Sequence, residues 1–438
     1  MSIIDELSKE ERWAEFREYK SKHGHLSNRE MRELDTYIAE QRYAPVVGEI
    51  RRVVNSAGED RRYVTVPNTF IPQKREINKS GSTKKRVVYT FAPDVTQVFK
   101  LMAWLLYRYD SAISDSCYSF RQNISARDAI EKLRRIPDLE SKYVLKADIH
   151  DYFNSMPVKK ICSALDSAIT DDPDLLFFLK ALLSLDLAYR VIPADNDNDK
   201  NNGSAGKTVH SVSSGPRGAM AGFPISAFIA DIYLTELDTW FEDLKIPYFR
   251  YSDDILLVTS RIEELEACKA VMFNIIAGKG LTINHEKTKV FNPGEPIEFL
   301  GFKITGKDVD LSDATIIKMK GKIRRKCRSL YRWRMRHGLD FDRAAKVVIR
   351  IFNMKYYDTE DFMDFTWSRW FFPVLTCTDG LHALDEYLVS ELRYIETGRH
   401  CKANYRITYE HLKELGLRSL VNEYYKFKAE KRALIYFT

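Results

Sequence analysis

Apolar and polar positions recur with two different periods along this chain, and the change of period predicts both helices and strands. The first ~60 residues and those after about residue 311 follow helical spacing, as in the predicted helix Asn28–Arg42. Short β-prone runs lie between these two regions, including 142–148 and 249–258. The pattern therefore predicts an α+β protein whose two ends are helical.

The predicted elements of the central region follow one another in the order strand, helix, hairpin, helix, strand. The first strand ends at Asp148, an amphipathic helix follows Ser226, and a helix over Ile262–Lys279 follows the hairpin. Two further short strands are predicted, at 281–284 and 298–302. This is the order of a split βαβ (ferredoxin-like) fold.

The hairpin carries two adjacent acids, Asp253 and Asp254, at its turn. Neighbouring carboxylates at a tight turn repel each other unless a cation lies close to them. A pair of divalent cations is one explanation, and two-metal sites serve phosphoryl transfer on nucleic acids. A solvated loop is the other explanation. Asp148, at the end of a strand, is likewise interpreted either as a metal ligand or as a turn residue.

Basic residues are concentrated in two segments. The predicted hairpin 73–89 has Lys and Arg around a Ser-Gly turn, which suits either a phosphate clamp or a solubilising loop. The predicted helix 318–336 contains ten Lys and Arg residues, no acid, and the aromatic Tyr331 and Trp333. Because the whole chain has a net charge of only +6, this basicity is local. It favours contact with a nucleic-acid backbone over a simple solvated face.

Length and cysteine usage limit the class of protein. A chain of 438 residues predicts two or three domains. Six scattered cysteines with no C-x-x-C pair favour reduced thiols in a cytosolic protein. The acidic N-terminus is unlike a signal peptide, and no apolar run approaches the ~20 residues of a membrane span. We therefore expect a soluble, cytoplasmic protein with no membrane partner.

Together these segments resemble a reverse transcriptase. Tyr251-Ser252-Asp253-Asp254 matches the Y-x-D-D signature of the family, and Asp148–Phe153 matches its D-x-x-x-[FY]-[FY] strand. Four other segments resemble family motifs: Tyr118–Arg121 (G-F-R), Gly222–Ser226 (G-x-x-x-S), Gly280–Thr288 (G-L-x-x-N-x-x-K-T) and Phe299–Phe302 (the F-L-G-[FY] primer grip). All occur in the family's order over roughly residues 60–305.

The resemblance implies an RNA-directed DNA polymerase with a right-hand fold. Its N-terminal helices and fingers would occupy residues 1–140, and its ferredoxin-like split βαβ palm 141–307, with a polar insertion loop at 194–216. An all-α thumb and C-terminal region would occupy 308–438. The expected partners are an RNA template, dNTPs and the DNA product.

The resemblance also implies the catalytic residues. Asp148, Asp253 and, more peripherally, Asp254 would hold two Mg²⁺ ions together with the backbone of Ile149, and Mn²⁺ is the expected substitute. One ion would activate the primer 3′-hydroxyl, and the other would bind the triphosphate and stabilise the leaving pyrophosphate. Lys287 would protonate that pyrophosphate.

Substrate-binding residues follow from the same matches. Lys85 and Arg86 would clamp the β- and γ-phosphates, and the bulky Phe153 would exclude a ribose 2′-hydroxyl. The rest of the nucleotide pocket would comprise Ile149, Asp151, Tyr152, Ala221 and Gly222. The residues expected to bind nucleic acid are Arg121, Phe299, Leu300, Gly301, Lys322, Arg324, Arg325, Lys326 and Arg328.

Two departures from the family narrow the subtype. Ala221 stands where the family usually has Gln, which puts ordinary template fidelity in doubt, and Ala227 stands in place of a common Pro. With no endonuclease or RNase H domain, the chain looks most like stand-alone bacterial enzymes of the defence-associated, abortive-infection-like "unknown group". That likeness implies antiphage defence and a dedicated structured noncoding RNA template.

Three alternatives remain open at this stage. The same active site could synthesise DNA without a template or from a protein primer, as Ala221 suggests. The chain could instead be an RNA-binding scaffold with a relic polymerase fold, or a group II intron-type mobility enzyme. The primer, the trigger and the oligomeric state are left undetermined by the sequence.

Overall fold

A computed structural model describes residues 1–22, 26–56, 66–78, 85–184, 189–193, 210–211, 218–357 and 366–436. Its α-helices are α1 Ile3–Glu6, α2 Glu10–Lys22, α3 Asn28–Ala39, α4 Tyr43–Asn55, α5 Pro93–Leu105, α6 Ala126–Arg134, α7 Tyr152–Ser155, α8 Val158–Ala168, α9 Pro173–Leu183, α10 Ser226–Tyr233, α11 Thr235–Asp243, α12 Ile262–Gly278, α13 Asp313–His337, α14 Phe341–Tyr356, α15 Trp367–Phe371, α16 Asp379–Thr397, α17 Tyr409–Glu414 and α18 Leu420–Tyr436. Its strands are β1 Gln73–Asn78, β2 Lys85–Thr90, β3 Tyr143–Asp148, β4 Tyr189–Pro193, β5 His210–Ser211, β6 Tyr248–Tyr251, β7 Asp254–Thr259, β8 Lys289–Phe291, β9 Ile297–Phe299, β10 Phe302–Thr305 and β11 Asp308–Leu311.

The chain forms two compact units. The first contains residues 1–22, 31–129 and 141–292, and the second contains residues 23–30, 130–140 and 293–438. The predicted division into fingers, palm and thumb at residues 140 and 307 is a finer one and stays a prediction. Within the described ranges, no helix is both long and apolar enough to cross a membrane.

A four-stranded antiparallel sheet forms the centre of the first unit. Its spatial order is β6-β7-β3-β8. Along the chain β3 is the first of these four strands, β6 the second, β7 the third and β8 the fourth, so the spatial order is second, third, first, fourth. This is the ferredoxin-like arrangement. Helix α12 packs on β3 and β7, and its predicted span is confirmed. The predicted fold class, α+β with a split βαβ palm, is therefore confirmed.

A second sheet in the first unit has the order β2-β1-β4-β5. Strands β1 and β2 are antiparallel partners, from Gln73 opposite Thr90 to Asn78 opposite Lys85. This confirms the strands of the predicted basic hairpin. Its Ser-Gly turn, residues 79–84, lies outside the described residues. So does the predicted insertion loop 194–216, apart from β5.

The second unit combines a small sheet, β11-β10-β9, with the C-terminal helices. Its longest helix, α13, begins at Ser312, whose hydroxyl accepts a hydrogen bond from the Thr315 amide. It ends at Gly338, which has the left-handed φ of +60°. One stripe of α13 is buried, formed by Met319, Ile323, Cys327 and Leu330. The helix packs with α14 and α16, which leaves its many cations on the other faces.

Two strand predictions are wrong. Residues 281–284 form only an isolated bridge, Ile283 with Ile149, because the Leu281 amide closes the end of α12 on the Ile276 carbonyl at 3.1 Å. The fourth strand of the sheet is β8 instead. The predicted strand 298–302 is split into β9 and β10 by a tight turn, where Leu300 has φ +51° and Gly301 has φ +86°.

Candidate active site

Three aspartates meet at one end of the central sheet of the first unit. Asp148 ends β3, and Asp254, which begins β7, is its direct partner in the antiparallel register. Asp253 lies with Ser252 in the two-residue turn between β6 and β7, and Ser252 takes a left-handed φ of +59°. The Ile149 amide donates to the Asp253 carbonyl at 3.2 Å. The structure thus brings together the three predicted catalytic carboxylates.

Burial and mutual repulsion perturb these acids. Burial is the main cause that raises the pKa of Asp253 to about 6, and the charges of Asp254 and Asp148 raise it further. Burial also raises the pKa of Asp254, while the cation of Lys146 opposes that shift. Each carboxylate therefore costs free energy when ionised, and a nearby cation would reduce that cost.

The remaining carboxylate, Asp148, has polar partners on both oxygens. It is 4% exposed. Lys287 Nζ donates to Oδ2 at 2.6 Å, and Asn284 Nδ2 donates to Oδ1 at 3.0 Å. Burial lowers the pKa of Lys287, but the hydrogen bond and charge of Asp148 outweigh it, so the pKa is raised overall. Sequence reasoning missed Asn284 as a site residue, although it lies in the same motif as Lys287.

The donors at this site suit a hard divalent cation. In the described part of the chain, no group of three His, Cys, Asp or Glu side chains is already arranged as a metal site. The available ligands are nevertheless carboxylate and carbonyl oxygens, which Mg²⁺ and Mn²⁺ prefer. The repulsion that raises the pKa of Asp253 is the kind that a bound cation relieves. The residues present therefore fit a divalent ion.

A buried ion pair supports the turn between β6 and β7. Arg250 in β6 and Asp238 in α11 are both 0% exposed. Arg250 Nε donates to Asp238 Oδ1 at 2.7 Å and Nη2 donates to Oδ2 at 2.5 Å, while the Tyr248 hydroxyl donates to Oδ1 at 3.0 Å. Arg250 Nη2 also donates to the Asp231 carbonyl at 2.7 Å. The sequence signal for this pair was a cation placed inside an apolar strand.

The segment 116–121 pairs with the other edge of β6. The Tyr118 amide donates to the Arg250 carbonyl at 2.8 Å, and Ser119 Oγ accepts from the Ser252 amide at 2.9 Å. Arg121 is 5% exposed on its side chain and bonds Asp110 through Nε and Nη2. Its guanidinium is thus used within the protein, and its predicted contact with nucleic acid gains no support from this geometry.

One asparagine joins three parts of the predicted nucleotide pocket. Asn154 Nδ2 donates to the Val87 carbonyl at 3.3 Å, and its Oδ1 accepts from the Ala221 amide at 3.1 Å. The Ala221 carbonyl in turn accepts from the Tyr89 amide at 2.7 Å. Gly222 has φ +98°, and a Cβ there would lie 2.7 Å from the Tyr89 carbonyl oxygen. The segments that contain Tyr89 and Gly222 therefore approach so closely that position 222 requires glycine.

Aromatic rings line the space beside the turn. Phe153 is half-buried, and its ring centroid lies 6.4 Å from that of Phe120, which is 42% exposed. Phe120 lies 6.3 Å from Tyr251. Asp151 is exposed with φ +44°, and Tyr152 is buried. The structure thus groups Phe153 with Phe120, a neighbour that sequence reasoning did not include among the site residues.

The two predicted phosphate-binding cations begin β2. Lys85 Nζ donates to Glu76 Oε2 at 2.9 Å, with 63% of its side chain exposed. Arg86 is exposed and is the register partner of Ile77 on β1. Both cations are therefore accessible to solvent, and their predicted phosphate contacts stay predictions.

The remaining predicted residues belong to the second unit. Phe299 is buried, and Leu300 and Gly301 form the turn between β9 and β10. The predicted cations all lie on α13, where Lys322, Arg324 and Arg325 are exposed and Lys326 and Arg328 are half-buried. Arg328 lies over the ring of Tyr394 at 5.6 Å. Their contacts with nucleic acid stay predictions.

The ferredoxin-like sheet with three carboxylates at its end defines a polymerase of the right-hand class. Residues 77–304, just over half of the chain, match the family model described as reverse transcriptase (RNA-dependent DNA polymerase). The chain therefore belongs to the reverse transcriptase family. The family match supports the predicted enzyme class, a nucleotidyltransferase of the RNA-directed DNA polymerase type, and enzymes of this family generally use divalent metal ions.

Several solved telomerase structures resemble this chain. Telomerase from Candida albicans, in complex with a TWJ fragment of telomeric RNA, is 12% identical over 80% of this chain and 63% of its own, with a TM-score of 0.42. Apo telomerase from Candida tropicalis is 12% identical over 81% and 68%, with a TM-score of 0.42. A C-terminally truncated form of the latter is 13% identical over 56% of each chain, with a TM-score of 0.40. The chain thus spans only 56% of that truncated telomerase. The comparison with curated proteins gave no match.

Proposed function

We propose that this protein synthesises DNA on an RNA template, with Asp148, Asp253 and Asp254 as its catalytic carboxylates. The observation that carries the proposal is the pairing of Asp148 with Asp254 beside the half-buried turn residue Asp253. A merely structural turn gains nothing from placing three acids so close together, with burial raising the pKa of Asp253 and Asp254. Cation-assisted nucleotidyl transfer uses such a cluster.

Asp148, Asp253 and the Ile149 carbonyl would hold Mg²⁺, or Mn²⁺ in its place, with Asp254 more peripheral. When bound, two such ions would lower the pKa of the primer 3′-hydroxyl and stabilise negative charge on the pyrophosphate. Lys287 keeps its proton on Nζ because its pKa is raised beside Asp148. In the proposed reaction it donates that proton to the leaving pyrophosphate.

The proposed nucleotide pocket uses residues from three segments of the first unit. Lys85 and Arg86 would bind the triphosphate, and the backbone of Asp151 and Tyr152 would line the pocket. Phe153 would exclude the 2′-hydroxyl of a ribonucleotide. Its packing beside Phe120 supports this role. A side chain that is held by a neighbouring ring keeps its position, and it therefore excludes a 2′-hydroxyl more effectively.

The proposed biological setting is antiphage defence in the bacterial cytoplasm, with a dedicated structured noncoding RNA as template. The support is the sequence resemblance to stand-alone defence-associated enzymes, carried by Met220–Pro224 and Leu420–Tyr425. The exposed cations of α13 add support, because they would contact an RNA backbone without reading its sequence.

A second candidate function is untemplated or protein-primed synthesis by the same active site. Ala221 favours it, because this residue offers only a methyl group where most of the family has a glutamine amide. A relic scaffold that only binds RNA is disfavoured, because Asp148, Asp253, Asp254 and Lys287 are all present and in contact or in register.

The proposed activity is tested by Asp253→Ala combined with Asp254→Ala. We expect dNTP incorporation on a primed RNA template to fall to background, while thermal unfolding and RNA binding stay unchanged. Asp243→Ala, which removes an exposed acid at the end of α11, is the matched control and should stay fully active. Incorporation by the double variant would remove the catalytic assignment.

The template is tested by sequencing the RNA and DNA that purify with the protein from cells. One discrete RNA together with its complementary DNA would support templated synthesis. DNA of biased composition that matches no bound RNA would support the untemplated alternative instead.

A further inference from the structure

The second unit contains a groove of about 670 Å³ between α13, α14 and α15. One wall is aromatic, formed by Phe352, Tyr356, Trp367, Trp370 and Phe371. Trp367 packs against Phe371 with ring centroids 4.5 Å apart and against Tyr356 at 5.8 Å. This wall is therefore a fixed surface of flat rings, and it opens into a cavity that a small planar group can enter.

The charged residues of the lining are all cations. Lys322, Arg325 and Lys326 from α13 and Lys355 from α14 line the groove. Among the described residues that line it, none is acidic, and these four cations form no ion pair within the described ranges. Burial lowers the pKa of Lys322, and the charges of Lys318, Lys355 and Arg325 lower it further. Such crowding of like charges is unfavourable unless an anion binds there.

We propose that this groove binds one or two unstacked nucleotides of a single-stranded nucleic acid. A base packs against the Trp367 and Trp370 wall, and the flanking phosphates lie on Lys322, Arg325, Lys326 and Lys355. The proposal rests on the proposed function only in that the chain binds nucleic acid. It names a binding site within the helical region, apart from the carboxylate site.

The combination of surfaces selects this ligand class. A duplex presents phosphates but keeps its bases stacked, so it cannot fill an aromatic cavity. An acidic peptide would meet the cations, but only its occasional aromatic residues could stack on a wall of rings. Single strands offer both a π-face and an anion in every nucleotide.

Fluorescence anisotropy on the full-length protein tests the groove, with labelled oligouridine and oligothymidine of about 12 nucleotides and a duplex of the same length. Trp370→Ala should weaken single-strand binding by about 5- to 100-fold, the range found when one stacking ring is removed. Lys322→Gln with Lys326→Gln should lower the slope of log affinity against log salt by roughly 1.4, about 0.7 for each phosphate that is no longer neutralised.

Matched controls come from the same unit. Trp333→Ala removes a tryptophan of α13 that packs on His337 and does not line the groove. Lys346→Gln with Arg350→Gln removes two exposed cations of α14 that lie outside the groove. Both controls should bind single strands within about twofold of the unmodified protein.

Lys322→Gln with Lys326→Gln also separates binding from folding. Lys322 is exposed and Lys326 is half-buried on α13, so the melting temperature should stay unchanged or rise while single-strand affinity falls. Comparison of the two oligonucleotides then shows whether the RNA or the DNA strand is the better occupant, and a preference for either supports the groove.

Two results would overturn the proposal: Trp370→Ala binding as tightly as Trp333→Ala, or the groove variants weakening duplex and single-strand binding equally. The assay is independent of catalysis. The Asp253→Ala, Asp254→Ala protein should bind single strands normally, so failure of the catalytic proposal would leave the groove proposal intact. Equally, failure of the groove proposal would leave the catalytic proposal intact.

Discussion

At the scale of single residues, the turn between β6 and β7, which carries Asp253, depends on side chains that are themselves fully buried. Arg250 and Asp238 are fully buried, and Arg250 also bonds the Asp231 carbonyl. A buried pair of this kind adds little net stability over apolar residues of the same size. Removing one partner is costly, however, because the other is left charged and buried.

Arg250→Met should therefore lower the free energy of unfolding by about 3–5 kcal/mol. Urea denaturation measures the change. The double variant Arg250→Met, Asp238→Leu should recover a large part of that loss, because no uncompensated charge remains. If the double variant were as unstable as the single one, the ion pair would not be the cause.

Asp231 predicts a dependence of stability on pH. Burial raises its pKa to about 7, against the opposing charge of Arg250 and the hydrogen bond from Ser119. The folded protein thus keeps this proton up to about pH 7, whereas the unfolded chain releases it near pH 4. Because the folded state binds more protons in that window, stability falls as the pH rises through it.

Asp231→Asn should remove this contribution. The free energy of unfolding of the unmodified protein should fall, relative to the variant, by up to about 1.4 kcal/mol per pH unit between about pH 4 and pH 7, and then level off. Urea denaturation at several pH values gives the difference. Asp243→Asn, at an exposed position, should show no such trend, and a flat difference for Asp231→Asn would contradict the assignment.

At the scale of elements, strand β2 and the segment 218–222 are held together by backbone contacts that leave no room for a side chain. Gly222→Ala should destabilise the protein by about 2 kcal/mol or more, from the left-handed φ and the approach to the Tyr89 carbonyl. Thermal unfolding checks this. Gly48→Ala, inside α4 with no atom within 4 Å, should instead stabilise by about 0.5–1 kcal/mol. Equal effects at both positions would contradict the steric argument.

The spacing of apolar residues correctly predicted those helices whose extent is set by their own sequence. Helix α12 ends where Gly280 follows it, and the basic stretch 318–336 lies within α13, whose buried stripe recurs every three to four residues. The wrong strands had other determinants. Residues 281–284 pair with the chain at 148–150 through one bridge only, because the Leu281 amide already closes the end of α12. The hydrophobic pattern of these four residues does not show that their pairing stops after one bridge.

The candidate site likewise divides into residues that the sequence predicted and residues that only the fold reveals. The order of motifs located Asp148, Asp253, Asp254 and Lys287. The supporting residues Arg250 and Asp238 were not predicted, because only the fold shows that a strand cation and a helix acid twelve positions apart face each other. Asn154 was missed for the same reason, since its partners lie 67 positions away in both directions along the chain.

At the scale of the whole molecule, positive charge is segregated. Ten cations lie between Lys318 and Arg336, against a net charge of +6 for the chain. Replacing Arg324, Arg325 and Lys326 with Gln should weaken RNA binding about tenfold or more at low salt. It should also reduce the slope of log affinity against log salt by roughly 2.

A titration of RNA binding against salt concentration measures both quantities. The control replaces Arg343, Lys346 and Arg350, three exposed cations of α14, with Gln. It removes the same net charge from the same unit. If both triple variants lost affinity equally, overall charge rather than the basic face of α13 would govern binding.

The contact between Lys287 and Asp148 has a consequence for how the enzyme is assembled. Both Asp148 oxygens are already satisfied by Lys287 and Asn284. The site thus carries an internal counter-ion, so the sheet can fold around Asp148 without a bound metal ion. In the proposed mechanism, a cation that binds Asp148 would take the place of the Lys287 ammonium group, and folding would be separate from activation.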